Sequence, residues 1–307
     1  MNDPVTVSKQ ATEADGTRVY LNEGEIVPLR KLIQGMLINS GNDAAIAIAE
    51  HLDGSIESFS KSINTFLKEK VGVENTHFTN PHGLFDDSHV STAYDLAIIT
   101  NYAMQNPYFV EIFGTKELTW DGQSWDTTIY SHHRLLKGEI PFEGITGGKT
   151  GFVNESKQTL ATTAKNKNIH LTAITLKADY KRDIYNDTIS LLDFGFGHFK
   201  TTFLAKNSEY KNGEETFHLA KDTFITEPLK GSKMNVTEQG KLTVQNESNE
   251  TVQTVALAVK QDEPIIQEEK KAVEKEVQRD YMNGIYVLIV FGLVVGFVTI
   301  RKRRLFR

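Results

Sequence analysis

The sequence has 307 residues, enough for one large or two modest domains with extra segments. At 39% hydrophobic and 24% charged it can bury a sizeable core, and its formal charge of −6 argues against a nucleic-acid binder. There is no cysteine, which excludes disulfides, thiolate metal sites and a cysteine nucleophile.

Residues 1–27 read as extended segments and turns, with Val5 and Val7 alternating, Gly16 and Gly24 as punctuation, and Arg18 to Leu21 strand-like. Leu32, Ile33, Met36 and Leu37 recur at helical spacing, predicting a helix from Leu29 to Ile38. A second helix, Asp43 to Leu52, is apolar on most sides and so deeply buried. A third, Ile56 to Val71, gathers Ile56, Phe59, Ile63, Phe66 and Leu67 on one face. Asp95 to Met104 is a fourth. The texture then changes: Glu117 to Tyr130 carries β-type residues, and Gly144 to Phe152 is a glycine-rich strand. Thr159 to Ala164 and His170 to Leu176 are two more strands, and Asn186 to Phe196 is a last helix. Helices followed by antiparallel strands predict an α+β fold.

Residues 201–260 show short alternating runs between polar turns and predict a small all-β domain, following a first domain over 1–200. Residues 261–280 are charged, without a core pattern, and read as a stalk. Met282 to Ile300 has no charged residue and as a helix would span about 28 Å, close to the hydrocarbon thickness of a bilayer. The basic tail 301–307 follows directly. The positive-inside rule predicts a single-pass protein of the cell membrane, its tail cytoplasmic and everything before Tyr281 outside. The opening MNDPVTVSKQ has no export signal, so this topology requires residues that precede Met1.

Two short motifs carry chemistry. Ser40-Gly41-Asn42 lies between two predicted helices, where Ser40 can point into a cleft or can cap the following helix with Asp43 completing a capping box. Gly148-Lys149-Thr150-Gly151 places an ammonium and a hydroxyl side by side on a strand, a pair able to clamp a carboxylate. The flanking glycines would admit a substrate backbone. A phosphate-binding loop is out of register, because its first glycine would fall on Glu143. His77, His82 and His89 lack a metal-binding spacing, and His82 is expected to hold a loop.

Ser-x-Asn followed about a hundred residues later by Lys-Thr-Gly resembles the penicillin-recognising serine hydrolases. The stretches LINSGNDAAIAIAEHLDGS, FTNPHGLFDDSHVSTAYDLAII, GGKTGF and LLDFGF resemble one branch of them, the low-molecular-mass penicillin-binding proteins that act as D-alanyl-D-alanine carboxypeptidases. The resemblance covers roughly residues 5–260. It implies an antiparallel sheet with a helical cluster, a small β domain and a membrane anchor. It implies an acyl-enzyme route on peptidoglycan stem peptides, inhibition by β-lactams, and no cofactor or metal. By the same resemblance Ser40 relays a proton, Asn42 binds the substrate amide, Lys149 supplies charge, Thr150 holds the terminal carboxylate, and Gly151 is a further substrate-binding residue. The Phe152 N–H serves the oxyanion, and Arg182 is a further carboxylate ligand.

The family's Ser-x-x-Lys nucleophile motif is expected upstream of the segment beginning at Pro4. Within the chain only Ser58-Phe59-Ser60-Lys61 and Ser208-Glu209-Tyr210-Lys211 match the bare pattern; both follow Ser40, and Ser58 and Lys61 fall on a solvated helix face. The chain as written is therefore expected to lack its nucleophile and part of its core, and to be inactive. Ser131-His132-His133-Arg134 stands where the family commonly has Asn-x-Asn, and Asn154-Glu155-Ser156 where an Ala-Gly pair is usual. The competing readings are a β-lactamase-like hydrolase, and a non-catalytic wall-binding or scaffold relative.

Overall fold

The computed structural model describes residues 1–259; the stalk 261–280, the apolar span 282–300 and the tail 301–307 lie outside the described residues. Among the described residues no helix is long and apolar enough to cross a membrane. The chain divides into two compact units: Met1–Ala164 with Thr172–Ile189, and Lys165–Leu171 with the described residues from Ser190 on.

In the first unit β1 (Pro4–Thr6) pairs antiparallel with β2 (Ile26–Pro28), and the short α1 (Lys9–Thr12) between them is capped by Ser8, whose Oγ accepts from the Ala11 N–H at 3.0 Å. The segment Arg18 to Leu21 was expected as a strand and forms none. Its N–H groups at Val19 and Leu21 find a side chain instead of a neighbouring strand: both donate to the buried Asp43 carboxylate, at 3.0 and 3.2 Å. Tyr20 between them turns out at a φ of 58°.

The helix over Leu29–Ile38 forms as its periodicity predicts (α2), with Leu29, Leu32, Ile33 and Met36 buried. α3 (Asn42–Asp53) buries every residue from Asn42 to Ala49, the packing expected of a helix apolar on most sides, and Gly54 ends it in the left-handed region. α4 (Ile56–Phe66) is capped by Ser55 and buries Phe59, Ile63 and Phe66. The run predicted to continue to Val71 closes in a π turn, Leu67–Val71, sealed by Gly72 N–H donating to Leu67 O at 2.9 Å. α5 (Ala93–Ala103) follows, capped by Thr92. α6 (Pro107–Phe113) was not legible, being only seven residues long, yet it carries a plain start signal in Asn106 followed by Pro107. Each fully buried Leu, Ile or Phe of this cluster contributes roughly 1.5–3 kcal/mol.

The strands come next. β3 (Glu117–Asp121) and β4 (Asp126–Tyr130) form a hairpin that buries Trp120 and Ile129. After the single-turn α7 (Arg134–Lys137), β5 (Ile145–Val153), β6 (Lys157–Lys165) and β7 (His170–Ala178) form a three-stranded sheet in that order. α8 (Lys181–His198) starts five residues before the predicted boundary at Asn186. Its polar opening Lys181-Arg182-Asp183 hid the start, while buried Ile184, Thr188 and Leu192 keep the helical period.

Among its described residues the second unit holds eight short strands: β8 (Phe199–Leu204), β9 (Glu209–Asn212), β10 (Glu215–His218), β11 (Thr223–Pro228), β12 (Lys233–Val236), β13 (Lys241–Gln245), β14 (Thr251–Ala256) and β15 (Ala258–Val259). They form the sheets β8-β11, β9-β10-β15 and β12-β13-β14 over a small core of Phe217, Leu219, Ile225, Leu242 and Val244.

Asp43 is the polar hub of the first unit, because its carboxylate also accepts the Ala44 N–H at 2.9 Å in the first turn of α3. Asp43→Ala leaves three buried N–H groups without that acceptor. It should cost about 3 kcal/mol, with Asp43→Asn costing less. Urea denaturation followed by far-ultraviolet circular dichroism measures both.

Candidate active site

The turn between α2 and α3 is built to present one side chain. α2 ends as the Asn39 and Gly41 N–H groups both close onto Gly35 O, at 3.2 and 3.1 Å. This pushes Ser40 to a φ of 63°, a conformation that costs a non-glycine residue on the order of 1 kcal/mol or more. Three further bonds hold the turn: Asn39 Nδ2 to Arg18 O at 3.1 Å, Asn42 N–H to Thr17 O at 2.8 Å, and the Asp43 hub. Ser40 does not cap α3; Gly41 occupies the cap position without a side-chain bond. The Ser40 Oγ instead accepts a hydrogen bond from Lys149 Nζ at 2.8 Å, joining residues 109 positions apart.

Lys149 is buried on β5, and its ammonium also donates to Thr150 O at 2.8 Å. Desolvation lowers its pKa from 10.5 to about 8. The strand beneath it is shaped by two glycines. A Cβ at Gly148 would collide with the His133 ring, and one at Gly147 with the Phe113 ring. Gly148 therefore admits a side chain of the protein itself, not a substrate as the sequence suggested; of the two flanking glycines, Gly151 borders the cleft. His133 is buried and neutral, burial having lowered its pKa to about 3. Its Nδ1 accepts the Leu136 N–H at 3.1 Å, so Nε2 carries the proton donated to Thr162 Oγ at 2.8 Å.

A cleft of about 490 Å³ opens above this arrangement. Ser40, Thr150, Gly151 and Phe152 line it, and Lys149 lies under its floor, bonded to Ser40. Two residues assigned to the site sit elsewhere. The Asn42 side chain is buried and donates to Asp15 O at 2.6 Å, so its amide holds the loop and does not border the cleft. Arg182 is exposed and reaches Asp183 Oδ1 at 3.3 Å. The reason is helical phase: α8 begins at Lys181, and residues 181, 184 and 185 share the face that lines the cleft, while 182 lies about 100° away. Lys181, not Arg182, is the α8 cation that lines the cleft.

Sequence reasoning also missed Thr17 and gave no role to His132, although the Ser131-His132-His133 departure had marked the position; both line the cleft. His132 has its pKa lowered to about 4, first by burial and then by the cations Lys149, Lys137 and Lys181. His82 accepts the Leu84 N–H on Nδ1 at 3.1 Å and braces its loop. Ser58 and Lys61 are exposed on α4, and Ser208 and Lys211 belong to the second unit; neither pair borders the cleft.

A profile of peptidase family S11, D-alanyl-D-alanine carboxypeptidase, matches residues 1–180. The chain belongs to the D-alanyl-D-alanine carboxypeptidase family. D-alanyl-D-alanine carboxypeptidase DacF of Bacillus subtilis is 32% identical over 250 residues, covering 76% of this chain and 62% of its own length. D-alanyl-D-alanine carboxypeptidase DacD of Escherichia coli is 30% identical over 207 residues, covering 65% of this chain and 52% of its own length. The chain thus spans between half and two thirds of those relatives. Among solved structures, penicillin binding protein 6B from Escherichia coli superposes with a TM-score of 0.66 at 25% identity, over 84% of this chain and 80% of that one. Penicillin binding protein 5 from Haemophilus influenzae gives a TM-score of 0.71 at 23% identity, covering 84% and 82%, and shares the mixed α/β fold.

The depressed Lys149 pKa has a testable sign. Below about pH 8 the ammonium donates to Ser40 and Thr150; above it the amine is neutral. The unfolded chain binds the extra proton up to 10.5, so folding stability should rise between about pH 8 and 10.5, and Lys149→Met should flatten that rise. NMR titration of lysine side chains should show one resonance with a midpoint near 8, absent in the Lys149→Met variant.

Proposed function

We propose that the cleft receives the D-Ala-D-Ala end of a peptidoglycan stem peptide and works as a serine-type carboxypeptidase site, removing the terminal D-alanine through an acyl-enzyme. The observation that carries this reading is the Lys149 Nζ to Ser40 Oγ bond at 2.8 Å, closed across a cleft that Thr150, Gly151 and Phe152 also line. A buried amine with a pKa near 8, bonded to a hydroxyl, is a proton relay matched to neutral pH. In the reaction a serine Oγ adds to the carbonyl between the two alanines while its proton moves to a neighbouring lysine amine. The tetrahedral oxyanion collapses, and the C–N bond breaks as the leaving nitrogen gains a proton through Ser40. Water then hydrolyses the acyl ester. Thr150 Oγ hydrogen-bonds the terminal carboxylate, with Lys181 as the second cation of that subsite. The Phe152 N–H donates to the oxyanion. β-Lactams occupy the same cleft as analogues of the scissile amide.

Neither Ser-x-x-Lys match within the sequence borders the cleft, so the reading gives the nucleophile and its paired lysine to neither; in a complete family member a separate Ser-x-x-Lys segment would supply both. The reading assigns residues 282–300 to a single membrane span, with 301–307 on the cytoplasmic side, on the strength of hydropathy and the basic flank.

A fluorescent penicillin tests the assignment. The 307-residue chain should take up no covalent label, whereas a version extended upstream through Ser-x-x-Lys should acylate. In the extended protein, Ser40→Ala or Lys149→Ala should slow acylation by roughly 10²–10³-fold. Label on the 307-residue chain would refute the placement of the nucleophile. Rapid release of hydrolysed penicillin by the extended protein would make it a lactamase. Unchanged acylation in both variants would remove Ser40 and Lys149 from the chemistry.

A further inference from the structure

The second unit carries an apolar band that the cleft chemistry leaves unused. β8 and β11 pair antiparallel, with Phe203 opposite Phe224 and Phe199 opposite Pro228. Side chains alternate along a strand, so Phe199 and Phe203 stand on one face and Phe224 continues it on β11. The other face turns inward. There Ile225 is buried, and the buried Glu227 accepts from Thr202 Oγ at 2.6 Å and pairs with Lys200 at 3.2 Å. The outward rings belong to no core: Phe203 is 53% and Phe224 67% exposed, with ring centroids 5.3 Å apart. The apolar surface continues past Phe199. Phe194 on α8 is 55% exposed and meets Phe199 edge-on at 5.8 Å, and Leu191, one turn earlier on α8, is exposed as well. Leu229, exposed just beyond Pro228, lines a groove of about 370 Å³ together with Phe194, Phe199 and Pro228. An exposed band of this extent marks a contact surface.

Cations stand at both ends of the band. Lys206 lies two residues after β8 and Lys221 two residues before β11, at the Phe203–Phe224 end; Lys230 follows Leu229 at the other. All three are exposed. Two acids accompany them: Asp222 accepts the Lys206 N–H at 2.7 Å, and the Glu247 side chain lies against Gly231. The rim therefore keeps a small positive excess.

We propose that this band rests on the surface of an anionic bilayer, its rings entering the boundary between headgroups and acyl chains and its lysines reaching the lipid phosphates. It is a second membrane contact, separate from residues 282–300. The proposal rests on the reading of 282–300 as a membrane span, because that reading sets a distance. About twenty residues separate Val259 from Met282, and they cannot reach farther than about 75 Å. The second unit is then held within reach of lipid at all times, an effective concentration that no untethered partner has. Binding of this kind grows with the apolar area buried and with the attraction of lysines to anionic headgroups, and it asks for no matching pocket around each ring. Lysines at the rim can lay their stems along the apolar band and keep their charges at the phosphates. A second copy seated face to face would set lysine-bearing end against lysine-bearing end, whichever way round it lay.

The test uses the full 307-residue chain in proteoliposomes of phosphatidylglycerol and phosphatidylcholine, with Phe224→Trp as a depth probe and Phe203→Trp as a second. Trp120 and Trp125 lie in the first unit, and the emission of the parent chain is subtracted to remove them. The added indole should shift to shorter wavelength and be quenched by phosphatidylcholine brominated on its acyl chains. Lys206→Gln/Lys221→Gln in either background, or Phe203→Ser beside Phe224→Trp, should reduce that quenching at least about twofold. These positions are exposed, so the circular dichroism spectrum should not change. An indole untouched by brominated lipid, or quenching that the substitutions leave undiminished, overturns the proposal. So does an emission shift that grows with protein density and ignores brominated lipid, which would give the band to a second copy. Alkaline carbonate extraction of the same vesicles reads the span by itself. Release by carbonate removes the span and leaves the indole to decide the band; retention with an unquenched indole removes the band and leaves the span.

Discussion

A single hydrogen bond organises the first unit: the Lys149 ammonium donating to Ser40 across the boundary between a strand and a helix–helix turn. Taking an ammonium out of water is expensive, and two acceptors, the Ser40 hydroxyl and the Thr150 carbonyl, only partly replace its hydration. The depressed pKa measures what is left uncompensated. For a purely structural contact this would be a poor design, because an apolar pair of the same volume would hold strand to turn at least as well. On the proposed proton-transfer reading it is an advantage: an amine that changes charge near pH 8, already in contact with a hydroxyl, needs no rearrangement before it acts.

That bond requires Ser40 to stand where an ordinary helix would not leave it. The strain at its positive φ is held by the surroundings, and the surroundings converge on Asp43. One carboxylate serves the segment before α2 through Val19 and Leu21 and the start of α3 through Ala44, so the loop bearing Thr17 and the turn bearing Ser40 are fixed by the same atoms. Asn42 completes the clamp from the other side through Asp15. The Ser-Gly-Asn motif is thus divided in its labour here: the serine faces the cleft, the glycine permits the tight approach, and the asparagine locks the loop.

The helices were legible because their signals are local and repeated. Leu32, Ile33, Met36 and Leu37 state one period, and Ile56, Phe59, Ile63 and Phe66 state another. The cleft motifs were legible because two short strings recur in a fixed order. What escaped was set by distant partners or by phase. The residues Arg18 to Leu21 have strand-like composition, yet their N–H groups are taken by a carboxylate more than twenty positions away. Lys181 and Arg182 are adjacent cations, and only the true start of α8 decides which faces the cleft. Gly148 looked like room for a substrate, but the ring of His133 fills that space, and nothing in the glycine-rich run announces it.

The electrostatics of the finished cleft follow from the same assembly. Lys181 lines it, Lys149 lies beneath, and among its described lining residues there is no carboxylate. His132, crowded by these cations and by Lys137, is held neutral and adds a polar edge without adding charge. On the proposed reading, this charge would favour a ligand that ends in a carboxylate over one that ends in an amide. Desolvation makes that preference larger than it would be at an exposed surface. In the proposed reaction that preference would also serve catalysis, because fixing the carboxylate would carry the adjacent amide carbonyl to the Thr150–Phe152 edge of β5, where negative charge would develop. On the proposed reading, binding charge at one end and stabilising new charge at the other would both fall to β5, and the glycine-enforced packing behind that strand holds its two ends at a constant separation.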